Sequence, residues 1–218
     1  MRLTRVGMVF TLAALGCLVT CTTPSAEPVP ENLWEVVDLG SAWVALPKNW
    51  PDMKKIGGPR MLLYRQGSDT PGVPPLDDTG APLQMGMSVE KFPKEKQSLR
   101  EVMDALVKGA KSAPQLEMVG QETVEALKLA DGTEALLLTV EFIKEKRRRS
   151  LQMKLVVKGA DNDTWVVSGF LVGGKDSKTP TPGSNRAKWL RAHLTSFTFD
   201  KAKLDEGKLP DAYRDRAK

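Results

Sequence analysis

Cysteine, histidine and tyrosine are scarce in this chain: its 218 residues include two Cys, one His and two Tyr. Both cysteines, Cys17 and Cys21, fall within the first 21 residues. The remainder therefore has no thiol from which to build a disulfide framework or a Cys-ligated zinc site. A chain of this length buries enough apolar surface to fold without disulfides. The single histidine, His193, precedes an apolar helical position, which fits a boundary residue better than a general base. With one histidine and no thiol in the body of the chain, the usual nucleophile–base triads find little support. A Ser–Lys pair remains open, though no motif points to one. Charge of one sign is not in excess either: 32 Lys and Arg stand against 27 Asp and Glu. Beyond the first turns of sequence no apolar run is long enough to span a bilayer.

What is present begins at the N-terminus. Arg2 and Arg5 precede an apolar run over residues 6–15, then Gly16 and Cys17. A basic segment followed by a short apolar one is the pattern of a secretory signal. Ala13-Ala14-Leu15-Gly16-Cys17 resembles the lipobox of bacterial lipoproteins, in which the cysteine is lipidated and becomes the mature N-terminus. Cys17, with Gly16 before it, fits the small-residue requirement. Cys21, preceded by the bulkier Thr20, is the alternative, and ordinary cleavage without a lipid is the other reading. The resemblance implies an extracytoplasmic protein held at the cell membrane or outer membrane by its lipid. Leu18, rather than Asp, after Cys17 implies the outer membrane in an organism that has one. Removing residues 1–16 takes both signal arginines and leaves 30 Lys and Arg against 27 acids. That mild balance, with no aromatic-interleaved basic motif, predicts no nucleic-acid partner.

Residues 17–32 read as a lipid anchor followed by a Pro-rich, semi-extended linker. Residues 33–200 read as one folded domain, and 201–218 as a charged tail. Within the domain, strands are expected in 33–46, broken near Gly40, and near 60–66 and 84–92. Ser98 and Glu101 form a capping box. The helix after it carries Leu99, Val102, Met103, Leu106, Val107 and Ala110 on one stripe. One or two short strands follow in 116–129, then an Asp131-Gly132 turn. The 135–143 segment places Leu136, Leu138, Val140 and Phe142 on one face. The 150–158 segment places Leu151, Met153, Leu155 and Val157 on one face. Such alternation predicts an antiparallel sheet with one face on a core and one in water. A more continuously apolar strand over 165–172 and a Ser184-capped helix with Ala187, Leu190 and Leu194 inward complete the domain. This order is α+β, an antiparallel β-sheet with helices packed against it.

The stretch Val44-Ala-Leu-Pro47-Lys-Asn-Trp50 resembles the strand-Pro-x-x-Trp opening of the PsbP-like fold. The helix capped at Ser98, the turn at Gly132, the strand from Trp165 and the last helix running into Phe197 are similar to it as well. That fold occurs in DcrB- and LpqN-type bacterial lipoproteins, in photosystem-associated PsbP and in a Ran-binding nuclear transport protein. The resemblance covers most of 34–199, and 67–82 looks like an elaboration. It implies a binding or accessory module rather than an enzyme, with no cofactor, although fold alone does not carry function.

Four features compete for chemistry. Gly169 to Lys175 nearly spells a phosphate-binding loop, but Asp176 stands where a magnesium-holding Ser or Thr belongs, and Gly169 sits in a strand. Asp69, Asp77 and Asp78 match no calcium spacing, so no metal site is expected. Lys144, Lys146, Arg147, Arg148 and Arg149 form the densest charge cluster. It reads as a solvated hairpin turn or as a contact for anionic headgroups or envelope polyanions. Trp34, Trp43, Trp50 and Trp165 read as core, while Trp189, half exposed on the last helix, is the candidate partner contact. The expected function is a membrane-tethered, non-enzymatic envelope lipoprotein that binds an envelope protein or polymer. A glycan- or lipid-binding module, or a hydrolase with an unrecognised site, is the alternative.

Overall fold

The computed structural model describes residues 34–47, 54–55, 60–65, 83–94, 96–112, 116–144, 148–174, 178 and 180–204. The segments read above as signal and linker, with Cys17 and Cys21, Trp50, the 67–82 loop with its three aspartates, the Lys144 side chain, Lys146, Arg147, the 175–177 end of the Gly-rich stretch and the tail beyond 204 lie outside them.

Along the chain run β1 (Trp34–Asp38), β2 (Trp43–Pro47), β3 (Lys54–Lys55), β4 (Arg60–Arg65), β5 (Gln84–Phe92), α1 (Leu99–Lys111), β6 (Leu116–Met118), β7 (Thr123–Lys128), β8 (Glu134–Lys144), β9 (Arg148–Lys158), β10 (Thr164–Val172) and α2 (Asn185–Thr195). The architecture is α+β with antiparallel pairing throughout. β1 and β2 form a separate hairpin, and the other strands form one sheet in the order β3-β4-β5-β10-β9-β8-β6, with β7 also on β8. β7 pairs with the first half of β8 and β6 with its last residues. The Val119 amide donates to the Glu141 carbonyl (2.8 Å) between them, so the outer edge of β8 is shared by two short strands.

The register corrects the expectation of one wet face. Paired residues in an antiparallel ladder share a face. Leu138, Val140 and Phe142 stand opposite Lys154, Gln152 and Ser150, so the apolar face of β8 coincides with the polar face of β9. Leu151, Met153, Leu155 and Val157 point the other way. Both faces are nonetheless covered. On one, α1 seats Val102 and Met103 on Leu138, Val140, Phe142, Val156 and Val166. On the other, α2 and the β1–β2 hairpin close over Met87, Val89, Leu137, Leu155 and Val167.

The two helices are held differently. α1 is amphipathic, and its capping box is formed: Ser98 Oγ accepts from the Glu101 amide (3.2 Å) and Glu101 Oε2 accepts from the Ser98 amide (2.7 Å). Such a cap is worth about 1 kcal/mol. α2 buries Arg186, Ala187, Trp189, Leu190, His193 and Leu194, so it is enclosed on most sides. It lies close because β10 carries Gly169 beneath it: a Cβ there would stand 2.7 Å from Leu190 Cδ1. The strand reading of Gly169 is therefore the one observed, with helix packing as its reason.

Gly169→Val is expected to lower stability by about 1–3 kcal/mol through overpacking. Denaturant midpoints measure the loss, and adding Leu190→Ala should restore part of it by making room.

Candidate functional site

Among the described residues three polar clusters stand out, and two of them hold the fold. At the first, His193 is fully buried and its Nδ1–H donates to the Ala45 carbonyl (2.7 Å). Ser196 Oγ accepts from the Ala45 amide (2.9 Å) and donates to the His193 carbonyl (2.7 Å). The edge of β2 is thus satisfied by the last turn of α2. Burial pushes the imidazole down to about 4, opposed by the hydrogen bond to Ala45. His193 is a neutral core residue rather than the boundary residue expected. The indole of Trp189 packs edge-on to it at 4.4 Å between ring centres.

Trp189 itself is fully buried, and this corrects the expectation of half exposure. The stripe of Ala187, Leu190 and Leu194 suggested a single buried face, but the β1–β2 hairpin covers a second one. A partner reaches this indole only if α2 lifts off the sheet.

The second cluster centres on Asp131. Its Oδ1 accepts from the Thr133 amide (2.9 Å), as the Asp-Gly turn requires. Its Oδ2 accepts from Thr198 Oγ1 (2.8 Å) and the Phe199 amide (2.7 Å), tying the β7–β8 turn to the chain after α2. Burial pushes this carboxyl up, but the hydrogen bonds from Thr133, Phe199 and Thr198 outweigh it and hold it below its ordinary value. The turn was legible in the sequence; the distant partners at 198 and 199 were not.

The third cluster is open to solvent. A groove of about 690 Å³ runs between the start of α1 and the β9–β10 turn, lined by Lys94, Lys96, Ser98, Glu101, Lys158 and Asn162 among others. Lys94 and Asn162 both have left-handed backbones, with φ of 51° and 60°. The Lys94 amide donates to Asp163 Oδ1 (3.1 Å), which Lys91 meets through Oδ2 at 2.8 Å while lying 5.0 Å above the Trp165 ring. Glu101 is held ionised below its ordinary range, first by the Ser98 amide and then by the Ser98 hydroxyl. The groove therefore sets lysines around a carboxylate already committed to a helix cap, which is suited to binding rather than proton transfer. No sequence motif marked it, because its residues come from two separated segments, 94–101 and 158–162.

The basic cluster divides. Lys144 pairs with Arg148 at the end of β8 and β9. Arg148 is exposed, whereas Arg149 is engaged by Glu141 (2.7 Å). Among the described residues no group of three or more His, Cys, Asp or Glu is placed to hold a metal ion, and no helix is long and apolar enough to cross a membrane.

No family model matches the chain, and no curated protein matches it. Among solved structures it is similar to a point mutant of the protein Mog1 (11% identity, 78% of this chain and 97% of that one, TM-score 0.48). It is also similar to the Saccharomyces cerevisiae Ran-binding protein Mog1p (10%, 81% and 100%, TM-score 0.46) and to cyanobacterial PsbP from Synechocystis sp. PCC 6803 (13%, 78% and 94%, TM-score 0.40). Likeness at this level carries no argument about function, and the α+β class rests on the strands and helices themselves.

The pH dependence of stability should show the buried imidazole. Its folded value of about 4 lies below the ordinary 6.5, so unfolded chains bind the extra proton between those values. Its contribution is complete above the unfolded value and declines by about 1.4 kcal/mol per pH unit as pH falls through that window. The carboxylates with depressed values act in the same direction, so the readout is the difference between wild type and His193→Gln, whose profile should be flatter. Separately, Asp131→Ala should cost about 2 kcal/mol by leaving the Phe199 amide and Thr198 hydroxyl without their acceptor. Thermal or denaturant unfolding measures it.

Proposed function

We propose that this chain is a lipid-anchored, extracytoplasmic module of the bacterial envelope that binds a protein or another envelope component rather than turning over a substrate. The observation that carries this reading is the basic–apolar–lipobox order ending at Cys17, with Cys21 as the alternative. A diacylglycerol together with an N-acyl chain gives stable anchoring, since each buried methylene contributes about 0.8 kcal/mol and one chain alone is marginal. Tethering raises the effective concentration of the domain for partners at the same surface. The polar architecture supports binding over catalysis. His193, Asp131 and Glu101 spend their hydrogen bonds on backbone, on the Thr198 hydroxyl or on a helix cap, and Glu122, Glu125 and Asp163, also held below their ordinary values, are bound by Lys111, Arg191 and Lys91.

The test is crosslinking and pull-down from native membranes, wild type against Cys17→Ser, with mass analysis of the mature N-terminal peptide. The expected result is a lipid-modified cysteine at that terminus and a discrete partner lost from the variant. An unmodified N-terminus, or turnover by the purified protein that one polar substitution abolishes, overturns the reading.

A further inference from the structure

The β1–β2 hairpin is joined to the rest of the domain along one short stretch of chain. Among the described residues β1 pairs with β2 alone, and β2 adds the bridge between Trp43 and Thr198. The Trp43 amide donates to the Thr198 carbonyl (2.8 Å), and the Thr198 amide returns a bond to the Trp43 carbonyl (2.9 Å). The Ala45 amide donates to Ser196 Oγ, and its carbonyl accepts from His193 Nδ1. These bonds all end within residues 193–198. Thr164 faces Lys158 at the lower end of the large sheet, and Val172 faces Ser150 at the upper. Near the lower end Lys91 Nζ donates to Ser41 Oγ (3.2 Å), a further tie at the hairpin's turn. Ala42, Val44 and Leu46 are buried, so the closed form dominates. The ladders of the large sheet do not pass through the hairpin, however. Its departure leaves β5, β10, β9 and β8 paired, which makes it a candidate unit of local opening with its own free energy.

One of the two side chains that hold Ala45 titrates. α2, which carries His193, packs on β2, β9 and β10. β9 and β10 turn apolar side chains to this face, among them Leu155, Val157, Trp165 and Val167. β1 carries Glu35 and Asp38, both exposed. α2 itself carries exposed Lys188, buried Arg186 and Arg191, the last bound by Glu125. Asp131 holds Thr198 and Phe199, and Asp163 holds Lys91. Both of these carboxyls lie below their ordinary range, so they stay ionised at pH 5. An imidazolium under the closed hairpin loses solvation that the Ala45 carbonyl returns only in part. Acid therefore favours the form in which water reaches His193.

We propose that the β1–β2 hairpin is an acid-sensitive clasp that opens as one unit from residues 193–198 while the large sheet stays paired. His193 is about 4 when covered and near its ordinary 6.5 when open, so the clasp is tightest above 6.5 and loosens as pH falls between those values. One consequence rests on the lipid-anchored reading. Residues 34–47 then lie between Cys17 and the large sheet, and opening them lengthens the tether by up to about 45 Å.

The experiment follows hydrogen exchange in the full chain at pH 7 and pH 5, corrected for the intrinsic rate at each pH. Peptides covering 35–46 report the hairpin, and peptides within 150–157 and 164–172 report the sheet. At pH 7 the hairpin is expected to be about tenfold or more less protected than the sheet, with a weaker dependence on low denaturant. Its protection should fall by about another tenfold at pH 5, and His193→Gln should abolish that fall. Equal protection and equal denaturant dependence in hairpin and sheet overturn the proposal, because the hairpin then leaves only with the whole fold. A hairpin insensitive to pH overturns it, and so does a fall that persists in His193→Gln. Should that variant not fold, Ser196→Ala removes the other tie to Ala45. It is expected to lower hairpin protection at pH 7 and keep the acid response, and unchanged protection overturns the clasp. The mass of the N-terminal peptide reports the anchor independently, so failure of the anchor reading and failure of the clasp are distinguishable.

Discussion

The close seat of α2 on β10 is the constraint on which the rest depends. Gly169 lets Leu190 descend to the sheet, and that depth brings the last turn of α2 within hydrogen-bond reach of β2. Without it, the Ala45 amide and carbonyl would face a wet gap rather than Ser196 and His193. Among the described residues the hairpin pairs with itself and through the Trp43–Thr198 bridge, so its place in the fold is set by α2 and the chain just after it. Asp131 then fastens that same chain to the β7–β8 turn, from the other side of the core. A close approach by one side chain thus propagates through three sets of backbone hydrogen bonds. Each is costly to leave unmade once buried.

Much of the order of elements was legible because α1, β8 and β9 obey simple periods. The Ser98–Glu101 box and the stripe beginning at Leu99 define a helix by sequence alone, and the structure starts it at Leu99. The alternation in β8 and β9 was read correctly within each strand. What it could not supply was the register between them. Pairing Leu138 with Lys154 and Glu141 with Leu151 combines, on each face, the apolar side of one strand with the more polar side of the other. Such an offset depends on the turn between strands, and no residue in either strand records it. Trp189 and His193 were misplaced for a related reason. A helix buried against two partners shows little periodicity, and its second buried face reads as exposed.

The polar groups follow the same division between local and distant causes. Asp131 was visible as a turn residue because its bond to the Thr133 amide is local. Its bonds to Thr198 and Phe199 cross 67 and 68 residues of sequence. The groove beside α1 was invisible for that reason too. The 94–101 stretch and the β9–β10 turn with Lys158 and Asn162 come together only once the sheet is assembled. The basic run at 144–149 was visible as composition, but its meaning depends on which members are already paired. Arg149 spends its charge on Glu141, while Arg148 remains exposed.

With α1 over β8, β9 and β10 on one face and α2 with the hairpin on the other, the central strands have little face left to offer a partner. The outer edge of β8 is also occupied, by β6 and β7 in succession. What these strands still present is their ends. At the lower end, Lys91, Asp163 and Trp165 bind one another, and Glu101 is committed to its cap. At the upper end, the neutralised pairs Arg149–Glu141 and Lys111–Glu122 sit beside exposed Lys108 and Arg148. Fixed ion pairs contribute little net field, so the unmatched cations set the potential there. A domain built this way keeps its described sheet faces covered and leaves the ends of its central strands as the place where its charged side chains meet solvent.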